Sequence, residues 1–166
     1  MGKQGAYTRG MKLAEAQHAA QPRSGRTKVV AWAYAAVLVV MTLGQLFSFE
    51  KFLPLIEGYE LPGGVGTATL VACLAVTLQV FAVPFLLRMP LSPLMRWVSL
   101  GSGIAVALLW LILGVFAAAS TSDMTNSGIL GIKVVVPFGI AQLLWALVLA
   151  VLAAWSTWGL WPSRTK

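Results

Sequence analysis

The chain has 166 residues, of which 58% are hydrophobic and only 10% charged, yet its net charge is +7. A soluble domain with so few charges could not keep its surface in water, so the excess apolar surface must face lipid. The positive balance does not point to nucleic acid, because the basic residues flank apolar runs and no groove-reading motif is present.

Residues 1–28 form a polar, basic tail. A short helix with Tyr7, Met11 and Leu13 on one face is compatible with it. The tail either attracts anionic lipid, at about 1 kcal/mol per basic residue near the surface, or docks a partner. A cleaved signal peptide is not expected: the basic region is too long, the apolar run that follows exceeds 7–15 residues, and no small-residue cleavage site follows it.

Four apolar runs cover residues 29–49, 65–87, 97–119 and 132–158. Each exceeds the roughly 20 residues a helix needs to cross a hydrocarbon core. Helices are required because lipid offers no partner for an unpaired backbone group. The expected fold is all-α, a polytopic membrane protein built as a four-transmembrane-helix bundle over 29–161, with a C-terminal tail at 162–166.

Ten of the twelve basic residues lie on one side of these spans: Lys3, Arg9, Lys12, Arg23, Arg26 and Lys28 before the first, Arg88 and Arg96 between the second and third, and Arg164 and Lys166 after the fourth. The opposite links hold Lys51 and Lys133 with Glu50, Glu57, Glu60 and Asp123. The positive-inside rule then places both termini in the cytoplasm of a multi-pass cell-membrane protein.

Span one opens with Trp32 and Tyr34, suited to the interface. Thr42, Gln45 and Ser48 recur every three residues on roughly one face, which should look into the bundle because a Gln in lipid leaves its amide unpaired. Glu50 and Lys51 follow and reach either the headgroups or inward. In the link PLIEGYELPGG, Pro54 and Pro62 are expected to interrupt helix, and its apolar residues to lie on the bundle.

In span two Gln79 shares a face with Ala72, Ala75 and Ala82, which allows close helix approach. Pro84 is expected to bend its end, and Pro90 and Pro93 to keep the next turn non-helical. Span three has a small-residue surface at Ser99, Gly103 and Ala107, and a second at Gly101 and Ala105. Trp97 fits an interface, and the deeper Trp110 is expected to face lipid or a neighbouring subunit. The link ASTSDMTNSG offers no carboxylate pair for a metal, since Asp123 stands alone. Lys133 is read as a snorkelling residue at the start of span four. Gln142 shares a face with Gly139 and Ala146, and Trp155, Trp158 and Trp161 form an aromatic belt.

Helical rise places Gln45 about 7 Å below Glu50, Gln142 about 13 Å below Lys133 and Gln79 about 20 Å below Gly66. This spread argues against a single three-glutamine ring and for interhelical hydrogen bonds, each worth roughly 0.6 kcal/mol.

The only cysteine, Cys73, lies inside span two and the only histidine, His18, in the tail. The spans therefore offer no histidine pair for haem, no Cys/His cluster for a metal and no nucleophilic triad. No acid lies at mid-membrane to couple protons. The chain is expected to have no catalytic activity of its own and to bind no cofactor alone.

The segment LGQLFSFEKFLPLIEGYELP, followed by LVACLAVTLQVFAVPFLL, resembles the DoxX-like family of small four-helix membrane proteins. The resemblance covers roughly 29–158. The second span of that family often carries an acid where this chain has Gln79. Some members are small subunits of quinone-linked membrane oxidoreductases, so the resemblance implies an accessory subunit of a respiratory or quinone-linked complex, with lipid and other membrane subunits as partners. The alternative is a small homo-oligomeric transporter or lipid-handling protein with Gln45, Gln79 and Gln142 lining a cavity. A third reading has Gln45 and Glu50 hydrogen-bonding a quinone head group.

Overall fold

The structure, a computed structural model, describes residues 23–120 and 124–161. The tail residues Lys3 to His18, Asp123, Arg164 and Lys166 lie outside these. Among the described residues there are five helices and no strand: α1 (Gly25–Leu46), α2 (Phe49–Glu57), α3 (Gly64–Leu86), α4 (Pro93–Ala119) and α5 (Ile140–Leu160). All but α2 are long and apolar enough to cross a membrane.

The four long helices close a ring. α1 packs on α3 and α5, and α4 packs on the same two from the other side. Small side chains fill the contacts, among them Ala31, Ala35, Ala72, Ala75, Ala82, Ala107, Ala146 and Ala153, all buried. They let backbones approach closely, and that close packing is what drives association where neighbouring lipid is as apolar as leucine. Across the diagonal, the Tyr34 hydroxyl donates to Gly103 O at 2.7 Å.

Both ends of the described chain meet at one end of the bundle, where Arg23 N donates to Gly159 O. There Arg23 lies over the Trp158 ring at 4.9 Å and Lys28 over Trp32 at 5.3 Å. This is called the termini end. The other, the loop end, carries α2 and the stretch 124–139.

Helix boundaries depart from the apolar runs for local reasons. α1 starts at Gly25 because Ser24 caps it, its hydroxyl accepting from Thr27 N. α4 starts at Pro93, not Trp97, because Ser92 caps Met95 N and proline is favoured in a first turn. The link after α1 is helical over Phe49–Glu57 despite Pro54, and it buries Phe52 and Ile56. α5 starts at Ile140, roughly two turns later than the apolar run suggests. Residues 132–139 hold Pro137 and Gly139, the latter at φ 90°, and are not helical.

Candidate functional site

The stretch 124–139 is an irregular chain held inside the fold, with Asn126, Ser127, Gly128, Ile129 and Gly131 buried. Buried backbone needs partners, and Asn126 supplies them. Its Oδ1 accepts from Gly128 N and Val136 N, and its Nδ2 donates to Gly131 O. Ser127 N donates to Val136 O at 2.9 Å. Sequence reading passed over Asn126 as one polar residue in a polar link. A lone Asn followed by Ser-Gly before an apolar run was the available signal.

This stretch meets the glutamines. Gln45 is fully buried and its Nε2 donates to Ile129 O at 2.9 Å. Two residues back along the same backbone, Ser127 O accepts from the Tyr59 hydroxyl at 2.8 Å. Gln142 is fully buried beside that hydroxyl, yet neither of its amide atoms completes a hydrogen bond of regular geometry. Burial pushes the Tyr59 hydroxyl well above the ordinary phenol pKa, and the Gln142 amide pulls it partly back. The Tyr59 ring packs edge-on against Phe138.

Gln79, also fully buried, faces Thr42 at 2.9 Å, one helical turn from Gln45. The Thr42 hydroxyl also donates to Leu38 O at 2.8 Å. It has one proton, so it satisfies both neighbours when the Gln79 amide turns Nε2 toward it and Thr42 accepts. Gln79 then offers its remaining oxygen to the interior.

The three glutamines thus belong to one polar string: Gln79, Thr42, Gln45, the 127–129 backbone, Tyr59 and Gln142. The helical-rise estimate spread Gln45 and Gln79 too far apart in depth. It counted from Glu50 and Gly66 as if both marked one level, whereas Glu50 belongs to a separate helix, α2, and the Thr42 contact places Gln79 within a turn of Gln45. No direct bond joins two glutamines among the described residues.

Several polar atoms in this interior complete no hydrogen bond of regular geometry among the described residues: Gln45 Oε1, the second amide atom of Gln79, both amide atoms of Gln142, Ser127 Oγ and Trp110 Nε1. Trp110 is fully buried, not turned to lipid or a neighbour as its depth suggested. It shares the inward face of α4 with Gly103 and Gly114.

Ser99, Gly103 and Ala107 are buried against the rest of this chain, and Gly101 is exposed. Ser99 does more than make room. Its hydroxyl accepts from Phe85 N at 3.0 Å and donates to Ala82 O, next to Pro84, which has no N–H to give. Glu50 and Lys51 are exposed on α2 and line a surface cleft with Lys133, which does not include Gln45. Cys73 is exposed on α3. No group of three metal-ligating side chains occurs among the described residues.

Comparison with family models, with characterised proteins and with solved structures gives no match to this chain.

Proposed function

We propose that this chain is a non-catalytic accessory subunit of a larger membrane complex, with both termini in the cytoplasm. The complex would be respiratory or quinone-linked, as the resemblance to the DoxX-like family implies. The observation that carries the accessory role is the zero exposure of Gln45, Gln79 and Gln142. Side chains that handle a substrate need a route to it, whereas these three are enclosed by their own helices, two of them bonded across elements. That favours a role in setting the shape of the bundle.

The small-residue face of α4 is used within the chain, so a partner would meet another surface. α5 is the best candidate. It buries the smallest share of its apolar length among the four long helices, and Trp145, Trp155 and Trp158 are exposed on it.

One observation favours the second reading, a small homo-oligomeric transporter or lipid-handling protein. The unpartnered amide atoms of Gln142 and Gln45 could line a hydrated path if the bundle opened. The quinone reading is less favoured, since Gln45 lies in the core and Glu50 on the surface.

Affinity purification of the tagged chain in mild detergent, with mass spectrometry and an optical spectrum, tests the proposal. Haem- or quinone-bearing subunits should co-purify in stoichiometric amounts. The chain alone, or as a homodimer without a chromophore, would overturn the accessory role and direct attention to transport assays in liposomes.

A further inference from the structure

At the loop end the helix is interrupted between α1 and α2, and the turn there borders a cleft of about 500 Å³. Lys51 reaches it from α2 and Lys133 from the 132–139 stretch. The two ammonium groups come from elements far apart in sequence, and neither has a carboxylate partner among the described residues. Glu50 also lines the cleft, so its charge sums to about +1, by the ordinary charges of these three groups. Ser48 stands at the start of α2 with its side chain free of any capping bond, leaving its hydroxyl to donate elsewhere.

Beside these polar groups the walls are apolar and open. Phe47 is 86% exposed and Leu46 is 50% exposed at the end of α1, and Phe49 and Ile132 complete the apolar lining. A cleft lined by two cationic donors and by apolar side chains together matches one kind of molecule, an amphiphile with an anionic head.

We propose that this cleft binds the headgroup phosphate of one anionic phospholipid between Lys51 and Lys133, with its acyl chains against Leu46 and Phe47. The proposal rests on the membrane-spanning character of the chain and is independent of which complex, if any, it joins. Lysines from two elements closing on one phosphate would tether the 132–139 stretch to α2.

The test is native mass spectrometry of the full chain in detergent, titrated with phosphatidylglycerol or with phosphatidylcholine. The wild-type chain should retain phosphatidylglycerol over phosphatidylcholine. The Lys51→Gln/Lys133→Gln variant should bind it more weakly, by about fivefold for each lysine and roughly thirtyfold together. The basic residues of the termini end are present in both proteins, so the difference reports the cleft. Both lysines are exposed, and an unchanged thermal midpoint would establish that the variant is folded. Equal retention of phosphatidylglycerol by the two proteins would overturn the proposal, as would equal retention of both lipids by the wild type. Displacement of the lipid by millimolar inorganic phosphate would also overturn it, marking a site for a free anion.

Discussion

Gly44 and Gly131 meet backbone to backbone. A Cβ on Gly44 would stand 2.5 Å from Leu130 O, and a Cβ on Gly131 would strike the Gly44 carbonyl. Gly131 also has φ 78°, a conformation other residues rarely adopt. This contact seats the 124–139 stretch against α1 and so brings Ile129 O to Gln45. Gly44→Ala should therefore cost about 1–3 kcal/mol, although alanine is the better helix former. Gly66→Ala in α3, where a Cβ meets nothing within 4 Å, should be neutral or stabilising. Chemical unfolding in detergent micelles would compare the two, and equal effects would rule out the backbone contact as the cause.

Gln45 and Gln142 are equally buried but differ in what they hold. Gln45→Leu would orphan Ile129 O and should destabilise by about 1–3 kcal/mol. Gln142→Leu would remove two amide atoms that have no regular partner and should be neutral or stabilising. The same unfolding assay reads both. A large loss for Gln142→Leu would mean that its amide is satisfied after all, by the Tyr59 hydroxyl beside it or by bound water.

Ser99→Ala distinguishes a spacer from a fastener. If only small size matters, alanine is equivalent and stability is unchanged. Since the hydroxyl bonds Phe85 N and Ala82 O beside Pro84, a loss of about 1–2 kcal/mol is expected. Ser99→Cys, retaining a weak donor and acceptor, should fall between.

The raised pKa of Tyr59 has a definite sign. The unfolded chain releases this proton near pH 10, while the folded chain holds it. Below that pH the contribution is fully present. It is lost as pH rises above about 10 toward the higher folded value, at up to about 1.4 kcal/mol per pH unit. Stability measured from pH 8 to 11 should fall at the alkaline end, and Tyr59→Phe should flatten the fall. A slope unaltered in that variant would assign the effect to another group.

Much of this fold was legible in the apolar runs. Length and hydropathy alone call for four helices, because a bilayer leaves the backbone no other way to satisfy itself. The inward direction of Gln45, Gln79 and Gln142 followed from the same reasoning, since an amide is costly in lipid. What each amide meets did not follow. That depends on α2, which persists through Pro54, and on 124–139, of which residues 132–139 read as the start of a span yet the whole folds as an irregular chain around Asn126. Trp110 shows the same limit: its apolar ring suits lipid or core equally, and only the packing of α4 turned it inward. Sequence determined which segments must leave water, because transfer free energy is summed along the chain. Tertiary structure decided which atoms pair, because hydrogen bonds and close contacts depend on positions to within an ångström, and these are set only when all the elements are packed together.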